Sequence, residues 1–97
     1  LAYKCFAYWG CYSVSKAALE ALVKTYAAEN ATTPVRANLF SPGPVRTKMR
    51  ATAMPGEDPM TLPAPEEVAV QLVQMCVPDF SGQGETWKYF PEGLKRV

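Results

Sequence analysis

The chain has 97 residues, 48% of them hydrophobic and 20% charged, and carries a net charge of +1. That length allows one small domain with a thin core, and so even a charge balance gives no electrostatic case for nucleic acid or an anionic membrane surface as partner. Histidine is absent, and the three cysteines Cys5, Cys11 and Cys76 are odd in number with no C-x-x-C spacing, which argues against a metal site, a disulfide framework and the Ser-His or Cys-His nucleophiles.

In chain order, Leu1 to Gly10 is apolar and aromatic (Tyr3, Phe6, Tyr8, Trp9) without a period of 2 or 3.6. It reads as a buried lead-in beside a pocket, or as a source of aromatic substrate contacts from Tyr8 or Trp9. From about Cys11 to Glu29 the pattern is helical, with Leu19, Leu22, Val23 and Tyr26 spaced as one buried stripe, Glu20 and Lys24 as an exposed pair, and Asn30 as the stop. Its alanines, Ala17, Ala18, Ala21, Ala27 and Ala28, would let another helix approach closely, possibly from a second subunit.

At the head of this helix stands Tyr12-Ser13-Val14-Ser15-Lys16. Residues four apart share a helix face, so a phenol and an ammonium would project into one space. A free phenol titrates near 10, about 3 units from neutral. A cation about 4 Å away at an effective dielectric near 20 contributes about 4 kcal/mol, enough to close that gap. Such a pair arises by chance roughly 0.3 times in a shuffled chain of this composition, so a solvated surface pair is the plain alternative and context must decide.

Val35 to Phe40 alternates as a strand and Ser41-Pro42-Gly43-Pro44 stops it. In an open α/β sheet the loop leaving the carboxyl end of a strand lies at the ligand site, which places Val45, Arg46 and Thr47 there. Lys48 to Pro65 holds Met49, Met54 and Met60 among five prolines and glycines, a segment suited either to cover an apolar ligand or to form a plain surface excursion. A second helix is predicted from Pro65, with Glu66 and Glu67 in its first turn, a buried stripe of Ala69, Leu72, Val73 and Cys76, and an end at Pro78. Ser81-Gly82-Gln83-Gly84 is a turn and Glu85 to Phe90 a last strand, closed by Pro91-Glu92-Gly93.

No run reaches the ~18 apolar residues of a membrane span. There is no signal-peptide pattern, and free thiols suit a reducing compartment, so a cytoplasmic location is expected. The chain opens at Leu1 without an initiator methionine and reads as a fragment.

Taken together, the Tyr12–Lys16 helix, a strand, Pro42-Gly43-Pro44-Val45-Arg46-Thr47, an insertion, a helix, Ser81-Gly82-Gln83 and a last strand resemble the C-terminal part of a short-chain dehydrogenase/reductase over nearly all of the chain after Tyr8. The resemblance implies an α/β fold: the C-terminal portion of a doubly wound, parallel-sheet Rossmann domain spanning residues 1–97. It implies alcohol–carbonyl interconversion with NAD or NADP, with Tyr12 as acid/base and Lys16 lowering its pKa and binding the nicotinamide ribose. Pro42, Gly43 and Val45 would form the wall beside the nicotinamide, Thr47 would bond its carboxamide, and a homodimer or homotetramer would form through the Tyr12 helix.

By the same resemblance, the glycine-rich pyrophosphate loop, the residue separating NAD from NADP and the catalytic serine would lie before Leu1. Ser13 and Ser15 point away from Tyr12 on the helix and do not replace that serine. The 97 residues alone are therefore expected to be inactive. The ending Tyr89-Phe90-Pro91-Glu92-Gly93 departs from the family's frequent acidic-glycine ending. The readings of another kind are a non-catalytic interaction module built on the alanine-rich helix, and a degenerate family member that binds no cofactor.

Overall fold

The computed structural model describes residues 7–97; the expectations for Tyr3, Cys5 and Phe6 lie outside the described residues. The elements are α1 (Gly10–Glu29), β1 (Leu39–Ser41), α2 (Lys48–Ala53), a 3-10 turn at Pro59–Thr61, α3 (Pro65–Gln74), β2 (Thr86–Lys88) and β3 (Lys95–Arg96). Helix α1 ends where foreseen, because Asn30 satisfies carbonyls that the helix leaves open. Its side-chain Nδ2 donates to Tyr26 O at 2.9 Å, and its backbone N–H reaches Tyr26 O and Ala27 O at 3.2 Å. The Glu20–Lys24 pair forms at 3.5 Å.

β1 and β2 pair in parallel, Leu39 with Thr86 and Ser41 with Lys88, and β2 pairs antiparallel with β3 through Trp87–Arg96 and Lys88–Lys95. Parallel neighbours need a crossover, and the segment containing α2 and α3 supplies it. Among the described residues β1 forms one edge of the sheet. β3 was not foreseen; two residues are too short to show a period.

The strand expected over Val35–Phe40 enters the ladder only at Leu39. Before that point its polar groups are met largely by side chains. Ala37 N donates to Gln83 Oε1 at 2.8 Å, and the Asn38 amide bridges Gly82 O (2.8 Å) and Glu85 N (3.1 Å). Gln83 also donates through Nε2 to Ala27 O and Val35 O, both at 3.1 Å. One amide thus fastens the end of α1 to the chain entering β1. Gly84 allows the approach: its φ is +66°, and a Cβ there would lie 3.3 Å from that of Ala27.

The core is small and lies at this junction. Its buried apolar residues, among those described, are Ala27 and Val68, joined by Ser41, Gln71 and Thr86. The stripe expected on α1 is not covered, and Leu22 is 66% exposed. On α3 the buried positions are Val68 and Gln71, one residue round from Ala69, Leu72, Val73 and Cys76. The Gln71 Nε2 donates to Phe90 O at 2.6 Å just beyond β2, while its buried Oε1 has no hydrogen-bond partner among the described residues.

Gly82 is buried for want of room. A Cβ there would sit 2.6 Å from Glu85 Oε1 and 2.7 Å from Phe80 Cε1. The Phe80 ring packs edge-on against Trp87 at 5.1 Å, and the Glu85 carboxylate accepts from Arg96 Nη1 at 2.6 Å. Gly82→Ala should therefore destabilise the full-length protein by about 1–3 kcal/mol, the usual cost of overpacking. Urea denaturation measures it, and a midpoint equal to wild type would mean that these neighbours yield without cost.

Candidate functional site

Tyr12 and Lys16 stand on the first two turns of α1, and the Lys16 Nζ lies 5.4 Å from the centroid of the Tyr12 ring. On the other side the Trp9 ring meets Tyr12 edge-on, with centroids 5.5 Å apart and planes at 83°. A cation over one ring and an aromatic edge against it each contribute about 0.5–1 kcal/mol, enough to bias the orientation of a half-exposed side chain. Among the described residues no carboxylate pairs with Lys16. Ser15 is occupied locally: its Oγ donates to Tyr12 O at 2.7 Å.

Tyr8, Trp9, Gly10, Cys11 and Tyr12 line an open, mostly apolar hollow of about 490 Å³. Tyr8 at its mouth has a φ of +67°, a left-handed conformation that costs a bulky residue about 1–3 kcal/mol and tends to be found at functional sites. The two aromatic residues singled out in the sequence thus flank Tyr12. The thiols of Cys11 and Cys76 are free and exposed. Among the described residues no three His, Cys, Asp or Glu side chains group as metal ligands, and no helix is long and apolar enough to cross a membrane.

The second cluster begins where β1 ends. Pro42 is exposed, Gly43 takes a φ of +68° and Val45 is half-buried. Thr47 caps α2, its Oγ1 accepting from Arg50 N at 3.1 Å. That bond uses the oxygen and leaves the hydroxyl proton to be donated elsewhere. Residues 48–62 form a short helix and a 3-10 turn, because Pro55 and Pro59 rule out a longer one. Arg46 and Arg50 close this segment. The Arg46 guanidinium donates to Pro59 O (3.2 Å) and Leu62 O (3.1 Å), and its backbone N–H to Pro63 O (2.9 Å). Arg50 makes a two-pronged pair with Glu57, at 2.9 and 3.0 Å.

A small, partly open cavity of about 10 Å³ lies inside this loop, lined by Thr47 among others, and it shares no residue with the hollow beside Tyr12. The structure therefore joins Tyr12 to Lys16, and Thr47 to the two arginines, without one cavity that spans both. The reason is where α1 is anchored. Its bond to Gln83 lies at its Ala27 end, and its first turns are tied to neighbours in the helix and to Trp9.

The Arg50–Glu57 tie has a pH signature. Hydrogen bonds from Arg50 hold the Glu57 carboxyl below the usual carboxylate range, against a desolvation effect and aided by the guanidinium charge. A carboxyl depressed on folding stabilises above its ordinary value, near 4.5, and that contribution disappears as pH falls through the depressed value. Glu57→Gln should thus give at pH 7 the loosening that wild type shows only in acid, an increase of about two- to five-fold in amide exchange across α2. Equal exchange in the two proteins at pH 7 would refute the tie.

Arg50–Glu57 and Gln83 escaped sequence reading. A separation of seven residues across prolines matches no helix pairing, and a glutamine in a turn looks solvated. The Ser-Gly-Gln turn was visible, but the three bonds of Gln83 were not.

A family model described as enoyl-(acyl carrier protein) reductase matches residues 2–74. The chain is 42% identical over 60 residues to the uncharacterized oxidoreductase YciK of Escherichia coli (strain K12), covering 62% of this chain and 23% of that protein. It is 45% identical over 49 residues to the chloroplastic NADPH-dependent aldehyde reductase 2 of Arabidopsis thaliana, covering 50% and 18%. The crystal structure of a short chain dehydrogenase from Salmonella enterica subsp. enterica serovar Typhi superposes with a TM-score of 0.78 at 33% identity, covering 90% of this chain and 36% of that one. The chain thus spans about a fifth of the length of the curated relatives it matches and about a third of the solved chain.

Proposed function

Because the chain belongs to the short-chain dehydrogenase/reductase family, we propose that the full-length protein is an NAD(P)-dependent oxidoreductase interconverting an alcohol and a carbonyl. The observation that carries the reading is the Lys16 ammonium above the ring of a half-exposed Tyr12, at the wall of an open apolar hollow. Tyr12 gives its proton to the carbonyl oxygen in reduction and takes it from the alcohol in oxidation. Lys16 hydrogen-bonds the ribose of the cofactor.

The donor set suits a nicotinamide nucleotide. Lys16 has no carboxylate partner among the described residues, Thr47 keeps a proton for a carboxamide oxygen, and the space in front of Gly43 is open. Pro42, Gly43 and Val45 would line the ring and Thr47 would hold its amide. A bound nicotinamide supplies the hydride-exchanging carbon. The 97 residues alone, residues of a single Rossmann-type domain, are assigned part of this site and no turnover of their own.

The exposed side of α1, with Leu19 and Leu22, favours association of two or four copies through that helix. The same face suits a protein that only associates, and one titration separates the readings. NAD(P)H fluorescence should rise on adding the full-length protein, and Lys16→Ala should weaken that binding about ten-fold or more while leaving sedimentation unchanged. A full-length protein that assembles without binding either nucleotide would overturn the enzymatic reading.

A further inference from the structure

We propose that Arg46 is a positioning residue for the nicotinamide-side threonine: it closes residues 46–63 into a loop and thereby fixes Thr47 before any ligand arrives. This inference rests on the cofactor reading above and adds a role that Arg46 lacks there. The segment that follows Thr47 runs out through α2 and returns through the 3-10 turn, and its return strand meets the chain at Arg46. Three donors of this one residue do the closing: Nε to Pro59 O at 3.2 Å, Nη2 to Leu62 O at 3.1 Å and the backbone N–H to Pro63 O at 2.9 Å.

Charge-assisted bonds from a planar fork fix direction as well as distance, and a lysine at this place could reach one carbonyl but not hold two in a set geometry. Thr47 is the next residue in the chain. Its backbone is extended (φ −135°, ψ 162°) and its Oγ1 is committed to Arg50 N. Arg50 is itself held by Glu57 from the far side of the same loop. The hydroxyl of Thr47 is thus bracketed by two arginine ties, that of Arg50 to Glu57 and that of Arg46 to the carbonyls of Pro59 and Leu62 further along the loop. Met49 and Met60, at 77% and 72% exposed, sit on the outside of the loop. Its closure therefore combines these polar bonds with the apolar lining that Met54 and Leu62 give its interior.

The test uses the full-length protein with Arg46→Met, which keeps a long apolar stem and removes the fork, and Arg46→Lys, which restores the charge. Amide exchange across residues 47–62 should quicken about ten-fold in Arg46→Met and be partly restored in Arg46→Lys. The NAD(P)H dissociation constant should rise in the same order, by about ten-fold and about three-fold, while kcat at saturating cofactor changes less than three-fold. Exchange of Arg46→Met at the wild-type rate, or faster exchange with unaltered nucleotide affinity, would overturn the role. Failure of the cofactor reading looks different: the unsubstituted protein would bind no NAD(P)H, and Arg46 would be a structural tie only, so that both proposals fall.

Discussion

Tyr12→Phe should lower turnover of the full-length protein by about 10²–10⁴-fold, the range in which a positioned proton donor contributes to a reaction. The substitution removes one oxygen and keeps the ring. The edge contact with Trp9 at 5.5 Å and the Lys16 ammonium at 5.4 Å both address the ring, so the local arrangement should survive. Tyr12 is half-exposed and its hydroxyl has no hydrogen-bond partner among the described residues that its loss would leave unpaired, so stability should change little. Nucleotide affinity should likewise remain within about two-fold, because the ribose contact is assigned to Lys16. The distinguishing result is a collapse of kcat with an unchanged dissociation constant for NAD(P)H. A variant that turns over at the wild-type rate would remove Tyr12 from the chemistry.

Gln83→Ala should destabilise the full-length protein by about 2–4 kcal/mol. The side chain makes three bonds, from Ala37 N at 2.8 Å and to Ala27 O and Val35 O at 3.1 Å. Each orphaned buried partner costs about 1–3 kcal/mol, reduced where water can enter. Ala27 is almost wholly buried, whereas Val35 is exposed, so the sum should fall well short of three full penalties. Gln83→Glu sharpens the test. It keeps the acceptor for Ala37 but loses the donor and sets a negative charge against two carbonyls. It should be nearly as damaging as alanine, with an unchanged denaturant slope. Wild-type stability in Gln83→Glu would show that the bonds to Ala27 and Val35 contribute nothing.

The order of α1, β1, α3 and β2 was legible because each carries a local signal, whereas α2 and β3 were not foreseen. Alanine and a 3.6 period mark α1, proline and two glutamates open α3, and alternation marks β2. The candidate site residues were picked out by their spacing: Tyr12 and Lys16 four apart on a helix, whose side chains do meet, and Thr47 a few positions beyond the end of β1. Burial was not legible. Periodicity tells which residues share a face but not whether anything covers that face, and on α1 the stripe of Leu19, Leu22 and Tyr26 stays exposed. On α3 the buried positions Val68 and Gln71 fall one residue, about 100°, round from the apolar stripe. The loop behind Thr47 was legible as a loop with methionines. Its closure by Arg46 and Arg50 depends on carbonyls and a carboxylate many residues away, which no window along the chain reveals.

With Ala27 and Val68 as the apolar residues sealed from water among those described, few contacts would be lost together on heating the 97-residue chain by itself. Cooperative melting requires many interactions that fail at once. In a calorimeter the isolated polypeptide should give a broad, shallow trace in place of a sharp endotherm. Inside a cell it should be held by chaperones or degraded unless its leucine- and valine-bearing helices find cover.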